Sequence, residues 1–163
     1  PRYFTWIAWL IFLAALVFAF DEFLTKKWQP NADIETALSN DYAKVVLKQN
    51  PHGHYLTPGE INNQQVLFLL DTGATSVSIP EHIAAALNLS KGRSYNVETA
   101  NGSVKVYQTT VSKLRIGEII LYNVAAHINP GFRSNEILLG MSALKQIEFR
   151  QQGKHLTLLQ HLP

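Results

Sequence analysis

The chain contains no cysteine, and this absence excludes a disulfide scaffold, a thiolate metal site and cysteine-based catalysis. The chain also has no large excess of positive or negative charge, since its 14 Lys and Arg residues and 12 Asp and Glu residues give a net charge of +2. No nucleic-acid partner is therefore indicated. Charged residues make up 16% of the chain and apolar residues 47%, which excludes a mostly disordered protein. The length of 163 residues suits one domain with an accessory segment.

A long apolar run without charge lies near the N-terminus. Residues 3–20 read YFTWIAWLIFLAALVFAF, with one threonine as the sole polar residue. As a helix, such a run spans roughly 27 Å, close to the ~30 Å hydrocarbon core of a bilayer. Trp6, Trp9 and Trp28 suit anchoring at the two membrane interfaces. The run therefore predicts a transmembrane anchor over residues 1–24, with a cleaved signal peptide and a buried core helix as the alternatives.

The next segment, residues 25–50, is polar and is predicted to be a linker. Its pattern favours a short helix over residues 33–47, capped by Asp33 and carrying a partial apolar stripe. From residue 51 onward the pattern changes to short β-type runs separated by turn residues.

Residues 51–163 are therefore predicted to form the globular domain. The run VLFLL at residues 66–70 is typical of a strand buried on both faces. Asn101-Gly102 is a strong hairpin signal, and ILLG at residues 137–140 is a second apolar run. About nine short strands and two short helices, over residues 81–87 and 142–147, predict an all-β barrel or sandwich.

Asp71 is the first candidate for chemistry, because it directly follows the VLFLL run. An ionised carboxylate in such a place needs hydrogen bonds or a charged partner. Thr72 supplies a hydroxyl, and Gly73 lets another backbone segment approach closely. A strand-end aspartate in an ordinary Asx turn gives the same triplet, so Asp-Thr-Gly alone is a weak signal. The second apolar run, which ends in Gly140, strengthens it.

Three motifs in this order resemble those of the retroviral-type aspartic proteases, in their membrane-anchored bacterial branch. They are GHYLTPGEINNQQVLFLLDTGATSVSIP, ETANGSVKVY and ILLGMSAL, and with a last β hairpin they cover residues 53–160. The resemblance implies a retropepsin-like closed barrel with one or two short helices, preceded by a single N-terminal transmembrane helix. It also implies a single-pass protein of a bacterial inner membrane with its domain in the periplasm. Charge does not assign that orientation, since Arg2 precedes the apolar run whereas Lys26 and Lys27 follow it.

The resemblance also implies roles for individual residues. Asp71 matches the catalytic aspartate. The rest of the active-site loop matches Thr72, Gly73 and Ala74. The flap that covers substrate matches Thr99, Ala100, Asn101, Gly102 and Ser103. The strand and glycine packed behind the aspartate loop match Leu139 and Gly140. The minimal viral enzymes have no counterpart of residues 25–50, so the strands that join two copies stay unassigned.

Catalysis by an aspartic protease needs two neighbouring carboxylates that share one proton. The chain has four aspartates, and Asp21, Asp33 and Asp41 lie outside any matching strand and turn. The second carboxylate is therefore expected from Asp71 of another copy, in a homodimer with two-fold symmetry. The predicted function is a membrane-anchored aspartic endopeptidase acting on a polypeptide. The alternative is a non-catalytic dimeric module that binds peptides in the same groove.

The histidines are the remaining candidates, as possible metal ligands. His52, His54, His82 and His127 do not have the spacing of a known metal site, so scattered surface histidines are the favoured interpretation. No metal and no cofactor are predicted.

Overall fold

The computed structural model describes residues 2–99 and 102–162. Most of its elements are β-strands. Of the three helices among the described residues, one lies at the N-terminus and two short ones each follow a strand directly in the chain. In chain order the elements are α1 (Arg2–Trp28), β1 (Glu35–Leu38), β2 (Tyr42–Lys48), β3 (Tyr55–Ile61), β4 (Gln64–Leu70), β5 (Val77–Pro80), α2 (Glu81–Ala86), β6 (Ser94–Thr99), β7 (Gly102–Ile116), β8 (Ile119–Asn129), β9 (Ile137–Leu139), α3 (Met141–Leu144), β10 (Glu148–Gln152) and β11 (His155–His161).

Seven strands form a sheet that closes into a barrel. Their order is β3-β4-β9-β5-β8-β7-β6, and an additional pairing of β3 with β7 joins the two sides. At this closure Glu60 lies opposite Arg115. A Cβ atom on Gly59 would clash with the carbonyl oxygen of Arg115 on β7, so only glycine lets β7 approach β3 so closely. The barrel encloses the apolar core, whose largest fully buried side chains include Phe68, Ile79, Leu114, Ile128 and Leu139.

Four further strands form a second sheet in the order β1-β2-β11-β10. The short helix predicted over residues 33–47 is therefore wrong, because this segment forms a β hairpin. Along β2 the side chains of Ala43, Val45 and Leu47 are buried while their neighbours face outward. This alternation has the two-residue period of a strand. The segment predicted as a linker thus pairs with the C-terminal strand, from Tyr42 opposite His161 to Lys48 opposite His155.

The other elements follow the sequence pattern with small shifts. Strand β7 runs without interruption over 15 residues, longer than the short strands that the sequence predicts, and it pairs with β8 along most of its length. The last short helix covers four residues, Met141–Leu144, rather than the six predicted over residues 142–147.

Helix α1 contains a segment, Arg2–Asp21, that is long and apolar enough to cross a membrane, and none of it is buried in the fold. The buried core helix considered from the sequence is therefore wrong. The helix ends close to the folded domain. The Trp28 ring lies against the His52 ring, with 4.7 Å between their centroids. Just beyond it, Asn31 is 3% exposed, and its amide bonds the carbonyl oxygens of Lys48 and Leu56 at 2.9 and 2.6 Å.

Candidate active site

Asp71 begins a tight loop at the end of β4. Its backbone N–H donates to the carbonyl oxygen of Leu139 at 3.1 Å, which extends the parallel pairing of β4 with β9. Its side-chain Oδ1 accepts a hydrogen bond from the Gly73 N–H at 2.8 Å, and its carbonyl accepts one from the Ala74 N–H at 3.3 Å. The Asp71 side chain is half-buried. The loop therefore holds one carboxylate in a fixed orientation at the barrel surface, with its second oxygen available.

The segment after β9 supports this loop from behind. The Met141 N–H donates to the Ala74 carbonyl at 2.8 Å. A Cβ atom on Gly140 would lie 2.7 Å from that same carbonyl oxygen, and even closer to the carbonyl oxygen of Ser76. Real Cβ atoms do not approach oxygen so closely, so only glycine fits between Leu139 and Met141.

Ser142 adds a support that the sequence reasoning missed. Its buried hydroxyl donates to the Ala125 carbonyl at 2.6 Å and accepts from the Val77 N–H at 3.0 Å. One side chain thus ties α3 to β8 and β5, directly behind the Asp71 loop. The signal in the sequence is a serine at the start of an otherwise apolar helix, ILLGMSAL.

Thr72 presents its side chain to solvent. Within the part of the chain that the structure describes, this hydroxyl makes no hydrogen bond. The side chain does not stabilise its own loop and is available to another molecule.

The hairpin of β6 and β7 overhangs the loop. Thr99 pairs with Gly102 and Glu98 with Ser103 at its end, and the Thr99 hydroxyl donates to the Gly102 carbonyl at 2.7 Å. The predicted flap residues Ala100 and Asn101 lie outside the described residues.

Two cavities meet at Asp71. The first, of about 690 Å³, lies between the Asp71 loop and the β6–β7 hairpin. Its lining comprises Asp71, Gly73, Ala74, Thr75, Ser76, Ser78, Val97, Glu98, Thr99, His127, Asn129, Phe132 and Leu138. The second, of about 500 Å³, opens toward the second sheet and is lined by Gln49, Gly53, His54, Tyr55, Leu69, Leu70, Asp71, Thr72, Phe149, Gln151 and Leu156. Asp71 therefore lies at the junction of the two cavities, between the β6–β7 hairpin on one side and strands β10 and β11 on the other.

Two side chains in these cavities are buried, and the sequence did not predict their burial. His127 is 7% exposed, so the interpretation of it as a surface histidine is wrong, and burial lowers the pKa of its imidazole below 6.5. Tyr55 is also 7% exposed, and its hydroxyl has no hydrogen-bond partner among the described residues. Burial raises the pKa of that hydroxyl above 10.0. His127 lies outside the three quoted motifs, and Tyr55 lies at the start of the first one, where nothing in the sequence marks its hydroxyl as buried.

Metal binding finds no support in the described part of the chain, where no three His, Asp or Glu side chains are grouped closely enough to hold an ion.

A β-barrel with an Asp-Thr-Gly loop beneath an overhanging hairpin defines the class of the aspartic proteases. The sequence model of the family "gag-polyprotein putative aspartyl protease" matches residues 57–146, more than half of the chain. The chain belongs to this retropepsin-like family. The predicted family and fold are thus both confirmed.

A solved structure agrees with this assignment. The crystal structure of a retropepsin-like aspartic protease from Rickettsia conorii superposes with a TM-score of 0.63 at 26% sequence identity. The match covers 78% of this chain and 98% of that one.

Two curated relatives are also similar in sequence. One, from Sinorhizobium sp., is named "Uncharacterized protein in cobV 5'region" and is 28% identical over 69% of this chain and 50% of its own length. The other, "Uncharacterized protein RP867" of Rickettsia prowazekii, is 27% identical over 76% of this chain and 54% of its own length. The chain therefore spans about half the length of the curated relatives it matches.

Proposed function

We propose that this chain is a membrane-anchored aspartic endopeptidase that acts as a homodimer. The observation that carries the proposal is the position of Asp71, a fixed carboxylate at the junction of two cavities. Family membership supports a peptidase of this kind.

A second copy of the chain would supply the second carboxylate. Asp21 lies in α1, and Asp33 and Asp41 flank the short strand β1, none of them lining a cavity with Asp71. Among the residues that the structure describes, Glu98 on the β6–β7 hairpin is the one other acidic residue that lines either cavity. An isologous dimer would place two copies of Asp71 about a two-fold axis. The exposed Thr72 hydroxyl, beside the second cavity, fits a surface that such a partner covers.

The proposed reaction is hydrolysis of a peptide bond by an activated water. Two adjacent carboxylates would share one proton, because both cannot ionise together at small cost. The ionised carboxylate takes a proton from the water as it attacks the scissile carbonyl, while the protonated one donates a hydrogen bond to the carbonyl oxygen. Protons then pass to the leaving amine. The apparent pKa values belong to the pair of carboxylates rather than to either Asp71.

The other predicted residues are proposed to have supporting roles. An extended polypeptide would lie in the cavity of about 690 Å³ and pair its backbone with the neighbouring strands. The flap over it would be formed by Thr99, Ala100, Asn101, Gly102 and Ser103. The loop that carries Asp71 would consist of Thr72, Gly73 and Ala74, with Leu139 and Gly140 behind it.

Helix α1 is proposed to be the membrane anchor. Its exposed apolar surface and sufficient length support this role. The proposed location is a bacterial inner membrane with the barrel in the periplasm. Because Asn31 is bonded into the domain three residues after the helix ends, the barrel would lie close to the membrane surface.

The test is cleavage of an unbiased peptide library by the full chain in detergent micelles, beside Asp71→Asn. The wild-type protein should cut peptides best in acid, and Asp71→Asn should lose at least about a thousandfold in rate while keeping its circular dichroism. Asp41→Asn removes the same charge from an exposed turn and should keep full activity. Equal cleavage by both variants, or full activity at about pH 9, would overturn the proposal. A non-catalytic binding module would instead cut nothing and retain peptides in both variants.

A further inference from the structure

The cavity between the Asp71 loop and the β6–β7 hairpin combines apolar walls with a polar floor. Val97, Phe132 and Leu138 supply apolar surface, and each is only partly buried. Ser78 and His127 supply the floor, and each is 7% exposed. Burying polar groups costs free energy unless they form hydrogen bonds. An aliphatic or phenyl side chain in the cavity would give Ser78 and His127 no hydrogen bond, whereas a polar side chain would.

Ser78 and His127 are side by side on neighbouring strands. They are register partners in the parallel pairing of β5 with β8. Within the described residues the Ser78 hydroxyl has no hydrogen-bond partner, although more than nine-tenths of the residue is buried. The Tyr55 hydroxyl is the one fully buried polar side-chain atom without a partner among the described residues, so the Ser78 oxygen is open to the cavity. Since Ser78 lines the cavity, a ligand there can supply the missing bond.

His127 also keeps most of its hydrogen-bonding capacity. Its Nδ1 atom lies 3.4 Å from the Tyr95 hydroxyl on β6, and the two rings meet at 90° with 6.2 Å between centroids. This is a long contact, close to the limit for a hydrogen bond. The Nε2 atom has no partner among the described residues. With Tyr95 donating to Nδ1, the neutral ring carries its proton on Nε2 and offers a donor.

We propose that this cavity is a side-chain subsite for the peptide substrate, and that Ser78 and His127 select a long side chain with an uncharged polar tip, tyrosine or glutamine. This inference rests on the proposed peptidase function. The apolar walls suit the stem or ring of such a side chain, and the floor bonds its hydroxyl or amide. Asp71 and Glu98 line the same cavity and disfavour an acidic side chain. The same two carboxylates attract a lysine or arginine tip, but such a tip is only a donor and cannot accept a hydrogen bond from the Nε2–H of His127.

In a dimer with two-fold symmetry, the side-chain preference would apply on both sides of the cleaved peptide bond. Each copy of the chain carries one such cavity beside its own Asp71. A peptide bound across the dimer would therefore place one residue in each cavity. The same preference should occur at one position on each side of the cleaved bond.

The experiment is a cleavage profile of the full chain in micelles, with libraries in which one peptide position at a time is varied. In the wild-type protein, peptides with tyrosine should be cut about tenfold better in kcat/KM than matched peptides with phenylalanine at one position on each side. Ser78→Ala and His127→Phe should each reduce that ratio severalfold while retaining cleavage of the phenylalanine peptide. Matched controls are His82→Phe and Tyr122→Phe, both at exposed positions, which should keep the wild-type ratio.

A merely structural role for the two residues would lower cleavage of both peptides equally and leave their ratio unchanged, which would overturn the subsite. Ser78→Ala removes a single oxygen atom, so it keeps the test open if His127→Phe does not fold. A wild-type protein that cuts peptides without preferring tyrosine or glutamine overturns the subsite alone. A wild-type protein that cuts no peptide overturns the proposed function, and the subsite with it.

Discussion

The backbone N–H of Asp71 donates to the carbonyl oxygen of Leu139, at 3.1 Å, at the place where two parallel strands end together. On the other side of the loop, the Met141 N–H donates to the Ala74 carbonyl at 2.8 Å. The loop that carries the candidate carboxylate is therefore held by main-chain hydrogen bonds to a distant segment of the chain. The position of the Asp71 loop therefore depends on how closely the segment after β9 can approach it. Gly140 determines this distance, because a Cβ atom there would clash with the loop.

Gly140→Ala is expected to displace the Asp71 loop. The added methyl group would clash with the carbonyl oxygens of Ser76 and Ala74, and backbone cannot give way cheaply. We expect the free energy of unfolding to fall by about 3 kcal/mol and cleavage activity to be lost. Urea unfolding followed by circular dichroism measures the first, and peptide cleavage the second.

The matched control for this change is Gly153→Asn, in the turn before β11. Gly153 has φ +60° and no neighbouring atom within 4 Å of an added Cβ, and asparagine tolerates that backbone conformation. It should cost less than about 1 kcal/mol. Comparable losses in the two variants would contradict the role assigned to Gly140.

Tyr55→Phe is expected to leave the isolated chain as stable as before, or more stable by about 1 kcal/mol. The Tyr55 hydroxyl is buried without a partner, so its removal also removes an unsatisfied polar group. Urea unfolding at protein concentrations where the chain is monomeric measures this effect. Tyr122→Phe, at a position 60% exposed, is the control and should change little. A loss above about 1 kcal/mol in Tyr55→Phe would show that the hydroxyl is bonded within one chain.

The pH dependence of stability should carry a contribution from His127. Burial lowers the pKa of this imidazole below 6.5, so between the folded and unfolded pKa values the unfolded chain binds more protons. The free energy of unfolding should therefore fall as the pH falls below 6.5, until the folded pKa has been passed. Well above 6.5 both states are neutral, and the contribution is constant.

The variant His127→Phe removes this contribution, and His82→Phe, on the exposed side of α2, does not. Urea unfolding at about pH 7.5 and about pH 5 should show a smaller loss of stability in His127→Phe than in either the wild type or the control. Identical losses in all three proteins would contradict the prediction.

The core of the candidate site could be predicted from the sequence because it rests on local chemistry. A continuous apolar run followed by Asp71 and Gly73 specifies a strand and a tight loop, and the run ending in Gly140 specifies the segment behind it. The predicted burial of this strand on both faces is wrong for the single chain, in which only Phe68 and Leu70 of the run are buried. The two-residue alternation of β2 is also present in the sequence, at Ala43, Val45 and Leu47, but a capping Asp33 and a partial apolar stripe led to the prediction of a helix. The hairpin turn before β2 is stabilised by the Ser39 hydroxyl, which accepts from the Tyr42 N–H at 3.1 Å.

The polar floor of the first cavity could not be predicted, because it depends on tertiary packing. At the end of β8 four consecutive residues, 126–129, are buried on both faces of the strand, so no alternation indicates where His127 points. The adjacency of His127 and Ser78 arises from the parallel pairing of β5 with β8, two strands far apart in the chain. Such pairings are decided by the closure of the whole barrel.

A mixed dimer tests whether two copies of Asp71 share one reaction. Wild-type and Asp71→Asn chains carrying different affinity tags are produced together, and dimers holding one of each are purified through both tags in succession. A dyad that needs both carboxylates predicts that this mixed dimer has no more than about 1% of wild-type activity. Mixed dimers of wild type with Asp41→Asn should be fully active. Half of the wild-type rate in the Asp71→Asn mixture would mean that each copy works alone, and recovery of no doubly tagged species would mean that the chain does not dimerise.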